Sequence, residues 1–177
     1  MPRQASLAPA FPMKAADMAV KPDEFRHALG QLAAGVSVLT AWVDGAGPSG
    51  MTVTSFTSLS LTPPLALVCV DKRAWLHDRL EVGQPFAINV LCSQQEHAAR
   101  RFASRGGRDP FADVPHSIGP HGVPRLAGAL AVVGLRVTER LPGGDHTIVI
   151  GEVEWTETDV GEPLMHWRGQ YARVEQP

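Results

Sequence analysis

The sequence lacks several features that would assign it to a particular class of protein. It has only two cysteines, Cys69 and Cys92. Both lie in apolar, strand-like stretches, so we expect free thiols in a reducing compartment and no disulfide. The 16 lysines and arginines nearly balance the 18 acidic residues, and the net charge is −2. This balance gives no electrostatic reason to expect nucleic acid or an anionic membrane as a partner.

Long apolar segments are also absent. No apolar run approaches the ~20 residues that a membrane-spanning helix needs. Residues 1–22 contain no continuous apolar stretch of signal-peptide length, and we interpret them as a disordered N-terminal tail. The remaining residues, 23–177, suit one domain, because a 177-residue chain with 44% hydrophobic residues can bury a single core. We therefore expect a cytoplasmic protein.

Several common catalytic motifs are missing as well. The chain has no Walker A string, no H-E-x-x-H and no G-x-S-x-G. His116 and His121 share a predicted loop, but no carboxylate or cysteine stands at ligand spacing from them, so we expect no metal site.

One glycine-rich motif matches the sequence, but the residues around it do not match the structure that the motif requires. Residues 45–50, GAGPSG, match G-x-G-x-x-G, and Asp71 follows about twenty residues later, as in a dinucleotide-binding fingerprint. That fingerprint needs a helix whose N-terminus faces a pyrophosphate. The next residues are rich in β-branched and hydroxyl side chains, and Pro63 and Pro64 would block a helix. We interpret the glycines as hairpin-turn residues.

The apolar periodicity predicts more strands than helices. A helix capped by Asp23 should end at Gly35, and Ser93 with Glu96 should form a capping box for another. The other predicted elements are helices at 73–80 and 94–103, strands at 36–43, 65–70 (buried on both faces), 86–91, 129–141, 147–156 and 164–171, a turn at 44–50 and a long surface loop at 104–124. The hairpin-like order predicts a mainly β fold, an antiparallel barrel with short helical insertions.

The most unusual stretch is residues 50–67, GMTVTSFTSLSLTPPLAL. Six hydroxyl side chains stand within nine residues here, at Thr52, Thr54, Ser55, Thr57, Ser58 and Ser60. Short hydroxyls and backbone N–H groups beside a sheet suit a ligand with an amide-like edge and a phosphate. An edge strand with a polar outer face would give the same pattern, and the residues alone leave both interpretations open.

A second segment, GGDHTIVIGEV at 143–153, stands about ninety residues further on, and together the two resemble the flavin reductase family. This family comprises short-chain NAD(P)H:flavin oxidoreductases that act as reductase components of two-component monooxygenases. The resemblance runs from Phe25 to about Tyr171 and includes FRHALGQLAAGVSVLT, FAINVL, ARRFAS and PLMHWRGQY. It implies a homodimeric split β-barrel of the FMN-binding type. It also implies reduction of free FMN or FAD by NADH or NADPH for a partner monooxygenase.

The same resemblance implies a set of cofactor-binding residues. The backbone of 51–55 would lie against the flavin ring, with the hydroxyls of Thr54 and Ser55 at its pyrimidine edge. Trp75 matches a stretch that approaches the phosphate, although the family usually has smaller polar residues there. Arg101 matches a helix arginine that meets the phosphate, for which its forked donors are suited. The full set is Met51, Thr52, Val53, Thr54, Ser55, Ser58, Cys69, Val70, Asp71, Trp75, Leu76, Arg101, Phe102, His146 and Tyr171.

His146 is the residue that the resemblance assigns to the catalytic step. It stands in a G-D-H string, and its implied role is to hold the nicotinamide over the flavin. Tyr171 would approach the flavin from a partner subunit, with packing as the equal alternative. Two rival functions remain open: a split-barrel protein that binds FMN or haem without turnover, and an oxidase of the pyridoxamine-phosphate type.

Overall fold

The computed structural model describes residues 20–104 and 109–174, so most of the predicted N-terminal tail lies outside the described residues. The described elements are mostly antiparallel strands with a few short helices, which confirms a mainly β fold. In chain order they are α1 Pro22–Leu29, β1 Ala34–Gly35, β2 Ser37–Val43, β3 Gly47–Val53, β4 Thr57–Leu61, β5 Pro64–Asp71, β6 Pro85–Val90, α2 Glu96–Ala103, β7 His116–Ile118, β8 Pro124–Leu126, β9 Ala131–Gly143, β10 His146–Thr158, β11 Leu164–Trp167 and β12 Gln170–Arg173. Within the described ranges, no helix has the length and apolar character needed to span a bilayer.

The main sheet has seven strands in the order β3-β2-β6-β9-β10-β5-β4. Its two edge strands, β3 and β4, are joined by only three residues, 54–56. Such a connection spans at most about 14 Å, whereas a flat sheet of seven strands would hold its edges about 29 Å apart. The sheet therefore curves strongly and brings its edges together. Two small sheets, β1-β11-β12 and β7-β8, complete the described strands.

The concave side of the main sheet encloses the largest hydrophobic cluster of the described residues, the main core. Leu39, Val68, Phe86, Leu135 and Val149 are all at most 1% exposed there. Strand β5 alternates between buried and half-buried residues, so the prediction that both of its faces are buried is wrong for this chain. The cause is its position next to the edge strand β4, where less of the chain can cover the outer face.

A second cluster forms under α2. Phe102 packs edge-to-face on Phe111 with the ring centroids 4.9 Å apart, and Val114 is buried nearby. The predicted loop at 104–124 is therefore only partly a loop: residues 105–108 lie outside the described residues, and the rest carries core side chains, β7 and a 3-10 turn. The buried amide of Asn89 fixes β8 by accepting from the Leu126 N–H at 2.8 Å.

The hairpin interpretation of residues 45–50 is confirmed, with a shorter turn than predicted. Gly45 and Gly47 have φ values of +78° and +79°, which glycine adopts without strain. Strand β3 begins at Gly47, so Pro48 lies within a strand. Proline is tolerated there because β3 is at the edge of the sheet and its missing N–H breaks no ladder bond.

Helix boundaries differ from the predictions for local reasons. Helix α1 begins at Pro22 and is capped by Gly30. Gly35, the predicted end of the helix, instead lies in β1, where it pairs with Met165 of β11. The predicted helix at 73–80 is only a 3-10 turn, His77–Arg79. The predicted capping box does not form, because the Ser93 N–H bonds to Glu162 O and α2 starts three residues later.

Candidate functional site

The two segments that carry the family resemblance, residues 50–67 and 143–153, meet at one cleft of about 870 Å³. The cleft lies between the outer edge of β3, the C-terminal end of β5, the start of β10 and α2. Twelve predicted cofactor-binding residues line it: Met51, Thr52, Val53, Thr54, Ser55, Cys69, Asp71, Trp75, Leu76, Arg101, Phe102 and His146. Six further lining residues were not predicted: Gly50, Arg73, Ala74, Ala103, Ser104 and Pro110.

Strand β3 forms one wall of the cleft. In the described sheet it pairs with β2 alone, so its other edge carries backbone N–H groups outside any ladder. Thr52 fastens this strand to α2, because its hydroxyl donates to Ala99 O at 2.6 Å. Thr54 is exposed in the short connection to β4. Thr54 is therefore the predicted hydroxyl best placed to meet a ligand.

Ser55, in the connection between β3 and β4, bridges to β5 just beyond the end of the β4–β5 ladder. Its hydroxyl donates to Cys69 O at 3.0 Å and accepts from Cys69 N–H at 3.1 Å. One serine side chain thus replaces a neighbouring strand at this point of β5. The predicted ligand contact of the Ser55 hydroxyl competes with this bridge, whereas the Ser55 backbone is not engaged by it.

Helix α2 approaches β3 closely because residue 50 is glycine. A Cβ at Gly50 would lie 2.7 Å from Cε1 and 2.8 Å from Cδ1 of Phe102. The close approach lets Phe102 pack against the strand while its neighbour Arg101 reaches the cleft. Gly50 is thus a site residue that sequence reasoning missed, because it was interpreted as a hairpin-turn glycine whereas it lies inside strand β3.

Arg101 is a largely enclosed cation, with a side chain only 19% exposed. Its Nη2 donates to Asp113 Oδ2 at 2.9 Å. Its Nε is buried, and no acceptor for it exists among residues 20–104 and 109–174. A buried N–H without a partner is costly, so this group suits an acceptor supplied by a bound anion.

The turn that carries His146 is fastened to the end of β5. Lys72 donates its backbone N–H to Asp145 O at 3.0 Å and its ammonium group to Gly144 O at 2.6 Å. Gly144 has a φ of +72°, which explains glycine in this two-residue turn. His146 lines the cleft with its side chain 41% exposed, and its Nδ1 lies 2.8 Å from Asp145 Oδ1. This contact lowers the pKa of the Asp145 carboxyl.

Asp71 and Arg73 form the charged part of the cleft mouth. Nε and Nη2 of Arg73 donate to the two carboxylate oxygens of Asp71, and the Arg73 backbone N–H donates to Oδ1. The hydrogen bonds from Arg73 hold the pKa of Asp71 well below its usual range. The string D-K-R directly after a strand was the available sequence signal for this pair.

Trp75 and Leu76 lie beyond this pair and play different parts. Trp75 is 50% exposed, and the guanidinium of Arg79 lies 3.8 Å from its ring centroid. Leu76 is 2% exposed and belongs to the main core. Of these two lining residues, Trp75 is therefore the one whose side chain is exposed to the cleft.

Three predicted residues lie outside the cleft lining. Val70 is fully buried in the main core, and Ser58 is exposed on β4 opposite Ala66. Tyr171 lies on β12, where Arg100 stacks 4.8 Å from its ring centroid and burial raises the pKa of the phenol. Within one chain, Tyr171 is therefore a packing residue.

Comparison with known proteins agrees with the resemblance seen in the sequence. Residues 29–175 match the family described as flavin reductase like domain. The reductase component of 4-nitrophenol 4-monooxygenase/4-nitrocatechol 2-monooxygenase from Rhodococcus opacus is 41% identical over 148 residues, which cover 84% of this chain and 78% of that protein. The NADH-dependent FAD reductase of Streptomyces globisporus is 45% identical over 134 residues, which cover 73% of this chain and 72% of that protein.

A solved structure shares the fold. It is the Streptomyces globisporus NADH:FAD oxidoreductase SgcE6 in complex with NAD and FAD fragments, with a TM-score of 0.81 and 40% identity. The match covers 88% of this chain and 96% of that chain. The family match spans most of the sequence, and the resemblance is confirmed: this chain belongs to the flavin reductase-like family.

Proposed function

We propose that this chain is an NADH-dependent flavin reductase that supplies reduced FMN or FAD to a partner monooxygenase. The observation that carries the proposal is the meeting of two distant segments in one cleft. The hydroxyl-rich end of β3 and the turn bearing His146 both line it. The relatives named above, which include a monooxygenase reductase component and an NADH-dependent FAD reductase, support the same reaction.

The residues of the cleft fit a flavin. Its volume of about 870 Å³ lies in the range of small-molecule sites. The free edge of β3 offers backbone N–H groups and the Thr54 hydroxyl to the pyrimidine edge of the ring. Arg101 offers an unsatisfied, buried Nε to a phosphate. These residues would bind the polar parts of the flavin and leave its ring face open to a second ligand.

When bound, the two nucleotides would supply the chemistry, hydride transfer from nicotinamide C4 to flavin N5. The protein's part would be to bind and orient them. His146 would hold the nicotinamide from the β5–β10 side, since the turn that carries it is fastened by Lys72. No residue needs to donate a proton for the hydride step itself.

The proposal includes a homodimeric split barrel of the FMN-binding type. The curvature of the seven-stranded sheet supports the barrel. The dimer is supported by α1, which contains no buried residue although Phe25 and Leu29 are apolar, and by Leu32 beyond it, which is 67% exposed. Such a surface is unfavourable in water and suits burial against a second subunit. Sedimentation equilibrium reporting a mass near 19.0 kDa would contradict the dimer.

A cytoplasmic location also remains part of the proposal. Cys69 and Cys92 are free thiols, which suits a reducing compartment.

Steady-state assays test the proposed activity. NADH consumption should require added flavin, and NADPH should be compared at equal concentration. A protein that binds flavin but consumes neither nicotinamide would support the non-catalytic binder instead. Oxidation of pyridoxamine phosphate with oxygen as the electron acceptor, and with no consumption of NADH or NADPH, would support the oxidase alternative.

A further inference from the structure

Trp75 is an exposed aromatic side chain in the lining of the cleft, where a ligand could contact its ring. It is 50% exposed, and its ring lies in the cleft lining four residues after the end of β5. Single exposed aromatic residues are common on protein surfaces and need no explanation. Trp75 differs because its ring is held in one orientation at the mouth of a ligand-sized cleft.

Arg79 provides that orientation. Its guanidinium carbon lies 3.8 Å from the Trp75 ring centroid, and its Nη1 also donates to Trp75 O. Arg79 lines a second cleft of about 640 Å³, which also includes Trp42 and His121, but it does not line the first. Trp75 lines the first cleft and not the second. Arg79 therefore covers one face of the ring, and the half of Trp75 that stays exposed is the part available to a ligand in the first cleft.

A fixed cation lies close to this ring. Arg73 stands two residues before Trp75 and lines the same cleft. Asp71 engages its Nε and Nη2 edge, which holds the guanidinium at the mouth and leaves Nη1 on the other side of the fork. The cleft lining thus combines a polar strand edge, a cation and an exposed aromatic ring. A molecule with an aromatic ring at each end and a diphosphate between them matches that set of groups.

We propose that Trp75 stacks on the adenine ring of FAD and makes this site prefer FAD to FMN and riboflavin. The stacking of adenine on Trp75 rests on the proposed function in one respect: the isoalloxazine ring must occupy the β3 side of the cleft. Arg79 on the rear face restricts the indole before binding, so little side-chain freedom is lost when adenine stacks on the front face. NADH also carries adenine, and the experiment separates the two sources.

The test measures dissociation constants of FAD, FMN and riboflavin by isothermal titration calorimetry, without any nicotinamide present. Trp75→Ala should weaken FAD by about tenfold or more, as loss of base stacking on an aromatic side chain does. FMN and riboflavin should change by less than about twofold. Trp75→Phe should retain most of the FAD affinity because it keeps a stacking face. Trp42→Ala removes another half-exposed tryptophan outside the first cleft and should change none of the three.

The other outcomes overturn the proposal. Equal weakening of all three flavins would mean that Trp75 supports the fold or the isoalloxazine ring, and no change would mean that adenine lies elsewhere. A raised KM for NADH with riboflavin as acceptor, together with an unchanged FAD affinity, would assign the adenine to the nicotinamide nucleotide. Because these are binding measurements, absence of turnover in the wild type would refute the proposed function while the calorimetry still decided the stacking.

Discussion

His146 lies directly opposite Asp71 in the antiparallel ladder between β10 and β5. This pairing brings the residue proposed for the nicotinamide next to the charged mouth of the cleft. Both residues line the cleft, although they are far apart in the sequence. The geometry depends on the two-residue turn at Gly144 and Asp145 and on its attachment to Lys72. The two substrates would therefore meet at the end of one pair of strands.

Replacement of His146 by alanine should impair the use of NADH while leaving flavin binding nearly intact. The residue lies on the β10 side of the cleft, away from the β3 edge proposed for the flavin. Loss of one positioning contact should raise the KM for NADH or slow hydride transfer by roughly tenfold to a hundredfold. Stopped-flow reduction and flavin titration measure the two effects separately. His97→Ala, which is exposed on α2 and outside the cleft lining, is the control. A collapse of flavin affinity in the His146 variant would contradict this assignment.

Replacement of Arg101 by alanine should weaken FMN and FAD much more than riboflavin, which has no phosphate. A charge-assisted hydrogen bond of this kind contributes roughly 1.5–3 kcal/mol, or about tenfold to a hundredfold in affinity. Arg100→Ala is a matched control, because Arg100 is on the same helix but is paired with Glu96 outside the cleft. Titration of all three flavins gives the comparison. An equal loss for riboflavin would indicate damage to the fold instead of a lost phosphate contact.

Gly50→Ala should destabilise the protein and weaken flavin binding together. The new methyl group would collide with the Phe102 ring and push α2 away from β3. Overpacking of this kind costs about 1–3 kcal/mol in the free energy of unfolding. Urea unfolding measures the loss. Gly35→Ala, where a Cβ would meet nothing within 4 Å, should be nearly neutral. Equal effects at the two glycines would show that the close approach of α2 is unimportant.

The Asp71–Arg73 pair should make the stability of the protein sensitive to acid. The folded-state pKa of Asp71 lies below its ordinary value of 3.8, chiefly because Arg73 donates hydrogen bonds to the carboxylate. A lowered pKa contributes stability that is present above about pH 4 and is lost as the pH falls below it. The thermal midpoint of Asp71→Asn should therefore lie below that of the wild type at pH 6.

This difference should shrink as the pH approaches 3. Asp44→Asn, in the exposed turn between β2 and β3, controls for the loss of a carboxylate. A constant difference between wild type and Asp71→Asn across this range would contradict the proposed linkage.

Much of the fold could be predicted because its signals are local. The strand at 86–91 and the helix at 94–103 follow from apolar periodicity, and both lie within one or two residues of β6 and α2. The predicted helix at 73–80 failed because tertiary contacts compete with propensity. The Lys72 backbone N–H and ammonium group bond to the turn at Asp145 and Gly144, and Leu76 is buried in the main core.

The site was only partly predictable for a similar reason. Thr54 and Arg101 could be identified from a resemblance, and both line the cleft. The bridge from Ser55 to Cys69 depends on the connection between β3 and β4 lying beside β5, which no local pattern shows. Arg73 was missed because its position depends on a carboxylate two residues earlier and on the end of β10 beside it.

An anaerobic single turnover tests most directly whether this chain reduces flavin with a nicotinamide nucleotide. The protein is mixed with NADH and a slight excess of FAD, FMN or riboflavin, and the flavin absorbance is followed by stopped flow. Bleaching of the oxidised flavin should require the protein and should be slower in the His146→Ala variant. Absence of protein-dependent bleaching with all three flavins, using either NADH or NADPH, would contradict the assignment of this chain as a flavin reductase.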